Sequence, residues 1–299
     1  MKLLNWYDLV HCYYKRILFL SVPNVCNAKC PFCFLKPSYA KGATLSDSVL
    51  GRTSDFVDVA KSVGFNEFRI TGGEPLVFDN LSELLSIFKE QQISYTLLTN
   101  GLVLHKYLEF FECNIPKKIT VSYHSKKYNS DIFGIEYNTD LLDKNIRILC
   151  ERKIDLTVSI LFLEQNQEDV LTHALHLKSL GVKSIKLIYP NYKKIKMNLK
   201  SAFTETIELV TAISGIDVRY SELGTCTCAM VNRGFLSFSP SQNKLYSCCN
   251  AISDKNFISD LNSHDSLTTA LWNFYNAAQV LKGFPCESHV DFCPIALNN

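Results

Sequence analysis

The stretch Ile17–Leu18–Phe19–Leu20–Ser21–Val22–Pro23–Asn24–Val25–Cys26–Asn27–Ala28–Lys29–Cys30–Pro31–Phe32–Cys33 decides how this chain is read. Its first six residues form a short apolar run of the kind found in strands covered on both faces. Three cysteines then follow, with three residues between the first pair and two between the second. Three thiolates on one short loop can hold three corners of an iron–sulfur cube, which leaves the fourth iron without a protein ligand. The competing occupant is zinc, but a structural zinc site wants four closely spaced ligands. The first Cys or His after Cys33 is His105, too far along the chain to serve as a local fourth.

Outward from this stretch, short β-branched or aromatic runs alternate with longer segments of helical period, the pattern of repeated βα units and a parallel sheet. Strands are expected over Ile17–Val22, Glu67–Thr71, Ser94–Leu98, Lys118–Tyr123, Asp155–Leu161 and Ser184–Ile188. Between and after them, Ser46–Val63, Leu81–Gln91, Val103–Phe111, Thr139–Glu151, Gln167–Leu180 and Ala202–Ile213 space their apolar residues as helices do. Ser46 and Asn166 read as N-caps, and Gly64 and Gly181 as C-terminal stops. Right-handed crossovers would curl six such units into an α/β fold, a partial (β/α)6 parallel barrel of the TIM type whose working face lies at the C-terminal strand ends. The cysteine loop, Gly72–Gly73–Glu74–Pro75, Thr99–Asn100–Gly101 and Ser122–Tyr123–His124–Ser125 all fall at those ends.

After about Ile216 the pattern changes. Phe235–Ser239 and Lys244–Ser247 flank Pro240–Ser241–Gln242–Asn243 and read as a hairpin, followed by a helix over Leu267–Leu281 and a cysteine-bearing tail. The expected division is therefore a barrel over residues 1–215 and a small α+β cluster-binding domain over 216–299.

Composition bounds the function. The 299 residues carry 31 Lys and Arg against 29 Asp and Glu, a net charge of +2 that lacks the strong basic bias of a nucleic-acid or polybasic membrane binder. No apolar run approaches the roughly 18 residues of a bilayer span, and the start, MKLLNWYDLVHCYYKR, lacks an apolar secretion region. A cytoplasmic location is expected, where 12 cysteines serve as ligands, catalytic groups or buried thiols rather than as a disulfide framework. Cys12, Cys113 and Cys150 stand apart and read as packed thiols without a role. Gly72–Gly73 lacks the third Gly of a dinucleotide fingerprint, and Lys117–Lys118, Lys126–Lys127 and Lys193–Lys194 read as solvated faces. His124 sits at a strand end beside the expected site.

The loop Cys26 to Cys33, with an aromatic residue before its last Cys, resembles the cluster loop of the radical S-adenosylmethionine (radical SAM) enzymes, and Gly72–Gly73–Glu74–Pro75 resembles the second signature of that family. The resemblance covers most of residues 15–190. It implies a 4Fe-4S cluster on Cys26, Cys30 and Cys33 whose open iron is chelated by SAM. One electron then cleaves SAM to methionine and a 5′-deoxyadenosyl radical that takes a hydrogen atom from the substrate. By the same resemblance Gly72 and Gly73 admit the methionine end of SAM, Glu74 beside Pro75 accepts from its amino group, Phe32 packs by the adenine, Thr99 reaches the carboxylate and Ser122 the ribose.

The cysteines of the last quarter resemble the twitch domain, a shortened relative of the SPASM domain in the same family. That likeness implies a second, auxiliary 4Fe-4S cluster on Cys228, Cys248, Cys286 and Cys293, with Asn243 where the family has a hairpin-turn Gly. Cys226, Cys249 and His289 are competing ligands, and zinc takes the same residue types. Cys249 or Cys226 is a candidate hydrogen-atom donor, as in the family's peptide epimerases. The expected substrate is a ribosomally made peptide undergoing epimerisation, crosslinking or oxidation, and a small molecule in natural-product biosynthesis is the alternative. The molybdopterin-pathway relative is disfavoured because the chain ends Ala296–Leu297–Asn298–Asn299 rather than in a glycine pair. The partners implied are a flavodoxin- or ferredoxin-type electron donor and the substrate, with no nucleic acid and no membrane. A non-catalytic scaffold held by two zinc ions is the reading from a different class.

Overall fold

The computed structural model describes residues 9–31, 33, 35–189, 200–220, 236–246, 257–260 and 264–280. In chain order it contains β1 (Ile17–Val22), β2 (Val25–Cys26), β3 (Ser38–Tyr39), α1 (Asp47–Val63), β4 (Glu67–Gly72), α2 (Leu81–Glu90) and β5 (Ser94–Thr99). Then come α3 (Phe110–Cys113), β6 (Lys118–Ser122), α4 (Asn129–Phe133), α5 (Thr139–Glu151), β7 (Leu156–Leu161), α6 (Val170–Ser179), β8 (Ser184–Ile188), α7 (Lys200–Ser214) and β9 (Asp217–Tyr220). The last are β10 (Ser237–Ser239), β11 (Lys244–Tyr246), β12 (Phe257–Asp260) and α8 (His264–Val280). Two compact units result. The first holds the described residues of 1–26, 34–96 and 225–299, and the second those of 27–33 and 97–224.

In the first unit the strand order is β12-β11-β10-β1-β4, with β1 parallel to both β4 and β10, and β11 antiparallel to its two neighbours. Leu18, Leu20 and Val22 alternate with Phe19 and Ser21 along β1, and all five are buried. An aromatic series packs beside the sheet: Phe238 stacks on Phe56 of α1 with centroids 3.8 Å apart, Phe56 meets Phe68, Phe68 meets Phe88, and Phe88 meets Tyr95. Gly64 ends α1 in the left-handed region at φ 110°, its N–H bonded to the carbonyls of Ala60 and Lys61, as the sequence indicates.

The second unit pairs β6, β7, β8 and β9 in parallel. Register puts Thr120, Thr157 and Ser184 in one row and Ser122, Ser159 and Lys186 in the next. The intervening Val121, Val158 and Ile185 are fully buried on the opposite face. Helices α5 and α6 cover that apolar face, since Tyr123, next on it after Val121, bonds Asp143 of α5 and lies against His173 of α6.

All six expected strands form, within one residue of the predicted ends. Other expectations are corrected. Val103–Phe111 is a 3-10 turn, Leu104–Tyr107, followed by the four-residue α3. Asn166 does not cap α6. It lies buried in a 3-10 turn, Glu164–Asp169, where Oδ1 accepts from Leu163 N–H and Nδ2 donates to the Leu161 carbonyl, closing the loop after β7. Cys12 and Cys113 are exposed rather than packed. Leu9 and Val10 take the core side of the turn that carries Cys12, and Phe111 takes that of α3. Cys150 is half-buried, and burial raises its thiol pKa. No helix among the described residues is long and apolar enough to cross a membrane.

Candidate active site

The cysteine loop leaves the C-terminal end of β1. Cys26 belongs to the first unit, where β2 pairs with β3 in parallel, Val25 opposite Ser38 and Cys26 opposite Tyr39. Ala40 N–H donates to the Cys26 carbonyl at 3.0 Å, and Asn24 Nδ2 reaches the Leu35 carbonyl at 2.9 Å, so both limbs of the loop base are tied.

The Gly72–Gly73–Glu74–Pro75 turn meets this base. Gly72 closes β4 at φ 122° opposite Val22, where a Cβ would stand 2.5 Å from the Val22 carbonyl oxygen. At Gly73 a Cβ would lie 2.0 Å from the Val25 carbonyl oxygen, a position no side chain can take. Glu74 N–H donates to that same oxygen at 2.8 Å. The structural reason for both glycines is therefore close approach to the backbone leading into Cys26. The Glu74 side chain is buried, and its Oε1 accepts from Leu76 N–H at 3.0 Å, capping the 3-10 turn that opens at Pro75. One of its acceptor positions is thus spent locally.

Cys30 and Cys33 lie in the second unit, where Cys33 N–H donates to the Cys30 carbonyl at 3.1 Å. Thr99, Asn100 and Gly101 form a buried turn after β5: Thr99 Oγ1 accepts from Gly101 N–H and Asn100 Oδ1 from Leu102 N–H. Asn100 Nδ2 donates to Asn27 Oδ1 inside the cysteine loop at 2.8 Å. Ser122 ends β6 half-buried, with its hydroxyl 3.3 Å from that of Ser159 on β7. Asn27, although inside the cysteine loop, and Ser159 were given no role by the sequence. Each gains its place from a contact with a residue far along the chain.

His124 is a structural residue. Its Nδ1 accepts from Leu161 N–H at 3.0 Å, and burial with the neighbouring His173 depresses its pKa to about 3. His173 is likewise depressed by burial, to about 4, and its Nε2 donates to the Tyr123 carbonyl. Lys126 is exposed, as expected of a solvated charge, and also pairs with Asp140 and Asp143 at 2.9 Å each. Asp143 also accepts from Tyr123 and lies 2.9 Å from His176. Burial raises the Asp143 pKa, but the bonds from Lys126, His176 and Tyr123 outweigh it and hold the carboxyl below its ordinary value.

The donor chemistry fits an iron–sulfur cluster. Cys26, Cys30 and Cys33 are present as free thiols of intermediate exposure on one loop, and cysteine thiolates are the ligands such a cluster takes. Among the described residues no three His, Cys, Asp or Glu side chains are gathered about one ion-sized position. Phe32, Cys226, Cys228, Cys248, Cys249, Cys286, His289 and Cys293 lie outside the described residues. Asn243 is described, and it adopts the left-handed φ of 56° in the turn between β10 and β11.

A parallel-stranded α/β fold with a three-cysteine loop after its first strand defines a class. Residues 20–177, more than half of the chain, match the radical SAM superfamily, and the chain belongs to that family. It is 27% identical over 181 residues to the GTP 3′,8-cyclase of Aquifex aeolicus (strain VF5), covering 56% of this chain and 54% of that protein. It is 27% identical over 164 residues to the antilisterial bacteriocin subtilosin biosynthesis protein AlbA of Bacillus subtilis (strain 168), covering 53% of this chain and 36% of that one. The chain thus matches about half or less of the length of these relatives. Streptococcus suis SuiB, solved bound to its precursor peptide SuiA, superposes with a TM-score of 0.67 at 15% identity, over 90% of this chain and 69% of SuiB. That likeness shows the fold, α/β with a sheet of parallel strands.

Proposed function

We propose that this chain is a radical SAM enzyme that modifies a ribosomally made peptide. The observation that carries the enzyme reading is the junction in the first unit, where the second signature is bonded to the root of the first: Glu74 N–H to the Val25 carbonyl, with Gly73 pressed against the same peptide. Two motifs about 40 residues apart in sequence meet next to Cys26.

In this reading Cys26, Cys30 and Cys33 hold a 4Fe-4S cluster and the Gly72–Pro75 turn borders the SAM it binds. When bound, the pair supplies reductive cleavage of SAM and abstraction of a hydrogen atom from the substrate. The chain's own residues fix the loop, bring the Gly72–Gly73 backbone against the strand that leads into Cys26, and offer the Ser122 hydroxyl at a strand end. Thr99 would take the carboxylate side and Phe32 the adenine. A second cluster on Cys228, Cys248, Cys286 and Cys293 would relay electrons, within a domain running from residue 216 to 299 after a barrel over 1–215. The left-handed Asn243 supports that ligand spacing, because it supplies the turn for which the family uses Gly. A peptide substrate is supported by the bacteriocin relative and by the fold shared with SuiB.

Anaerobic reconstitution with iron and sulfide should give a brown protein that converts SAM to 5′-deoxyadenosine under reduction, and Cys30→Ala should abolish this. A colourless, zinc-loaded protein would end the reading. The small-molecule alternative rests on the Aquifex relative, and consumption of GTP with no change in any co-expressed short peptide would favour it. If the reaction is an epimerisation, the product takes up deuterium from heavy water. A Cys249→Ala protein that still inverts the centre would remove Cys249 from the hydrogen-donor role.

A further inference from the structure

The part of the cysteine loop in the second unit is held by Asn100, which the sequence places at a strand end without a role of its own, and by Gly134, which no motif includes. Lys29 N–H donates to the Phe133 carbonyl at 2.8 Å. The next residue after Phe133, Gly134, sits at φ 63°, and a Cβ there would stand 2.5 Å from the Lys29 carbonyl oxygen and 3.1 Å from its carbon. Lys29 immediately precedes Cys30. Two residues earlier, Asn27 Oδ1 accepts the buried bond from Asn100 Nδ2. Asn100 is itself immobilised, because its Oδ1 takes Leu102 N–H and its carbonyl takes the Tyr137 hydroxyl at 2.7 Å. Tyr137 stacks on Phe133 with ring centroids 5.1 Å apart, so the two anchors brace one another.

We infer that Asn100 and Gly134 are positioning residues for Cys30: one fixes the side chain at Asn27 and the other the peptide at Lys29, so that the Cys30 thiol is presented at a set place. The inference rests on the reading of this loop as a cluster site. A cluster with an open iron has three protein thiolates instead of four, and from Asn27 to Cys33 the described loop residues form no helix or strand of their own. Its ligand geometry must therefore come from neighbours, which is the task of groups just outside a metal's own ligands. Gly134 is required twice over, by its left-handed φ and by the space that the Lys29 carbonyl fills.

The experiment uses the full chain, reconstituted anaerobically, and follows loss of iron to a chelator. The iron that Cys30→Ala fails to bind defines the share held by the loop. Gly134→Ala, Asn100→Leu and Asn27→Leu, with wild-type circular dichroism, should shed that share about 10–100-fold faster. Asn27→Asp keeps a carbonyl-type acceptor for Asn100 Nδ2 and should stay within about twofold of wild type, a rescue that a general loss of stability does not produce. If Gly134→Ala does not fold, the Asn27 pair decides. Wild-type rates in both leucine variants, or an Asn27→Asp protein as labile as Asn27→Leu, would overturn the inference. A wild-type chain that binds no more iron than Cys30→Ala would instead overturn the cluster reading, and the inference with it.

Discussion

Glycine is where the chemistry of single residues is most legible, because two glycines of this chain make opposite demands. A Cβ at Gly73 would overlap the Val25 carbonyl oxygen at 2.0 Å and the Val25 carbonyl carbon and nitrogen at 2.7 Å, all backbone atoms that cannot swing aside. Gly51, inside α1, has nothing within 4 Å of that position. Gly51→Ala should therefore stabilise the protein by about 0.5–1 kcal/mol, since alanine loses less backbone freedom in a helix. Gly73→Ala should destabilise it by on the order of 2 kcal/mol and displace the base of the cysteine loop. Urea unfolding of both variants checks the pair, and equal midpoints would show that the Gly73 contact is not tight. The three-cysteine loop and the Gly72–Pro75 turn were readable in the sequence because their signal is local spacing. The contacts that give Asn100 and Gly134 their significance were not, because they are made with Asn27 and Lys29, distant residues with which they share no pattern.

Among the elements, β6, β7 and α6 enclose two histidines that must remain neutral. His124 accepts from Leu161 N–H, an arrangement that a doubly protonated ring would break, and His173 lies fully enclosed beside Tyr123. Their folded pKa values, about 3 and about 4, lie below the ordinary 6.5. The unfolded chain consequently binds more protons between these limits, and stability present above pH 6.5 is lost as pH falls toward 4. Each histidine contributes a slope of up to about 1.4 kcal/mol per pH unit across that window. The midpoint of urea unfolding should drop steeply from pH 6.5 to 5, and a His173→Gln protein should show a shallower fall; an unchanged slope would mean that His173 is not held neutral. Six strands were readable here as apolar runs, and so was the β10–β11 hairpin. The β2–β3 pair was not, because two residues carry no periodicity. Nor was the 3-10 break at Leu104–Tyr107, since apolar spacing looks alike in a tight turn and in a helix.

For the whole molecule, the instructive fact is where the late residues go within the first unit. The hairpin was legible as a hairpin, but its parallel pairing with β1 was not, because that pairing joins segments more than 200 residues apart and leaves no local mark. The pairing is substantial. Phe19 N–H donates to the Leu236 carbonyl at 2.8 Å, and Ser21 and Ser237 share a buried hydroxyl bond at 2.7 Å. Phe238 stacks on Phe56, and Tyr14 donates to the Leu271 carbonyl of α8 at 2.7 Å. A fragment cut at residue 215 loses all four interactions. It uncovers one edge of β1, a strand buried on both faces, and leaves the buried hydroxyls of Tyr14 and Ser21 without these partners. The proposed division at 215/216 therefore does not mark off a first segment that keeps these contacts. Residues 1–215 expressed alone should aggregate or melt well below the full chain, while a co-expressed 216–299 segment should restore solubility. Size exclusion and thermal unfolding of the two preparations decide the matter, because a monomeric fragment with the full chain's Tm would show that β1 does not need β10.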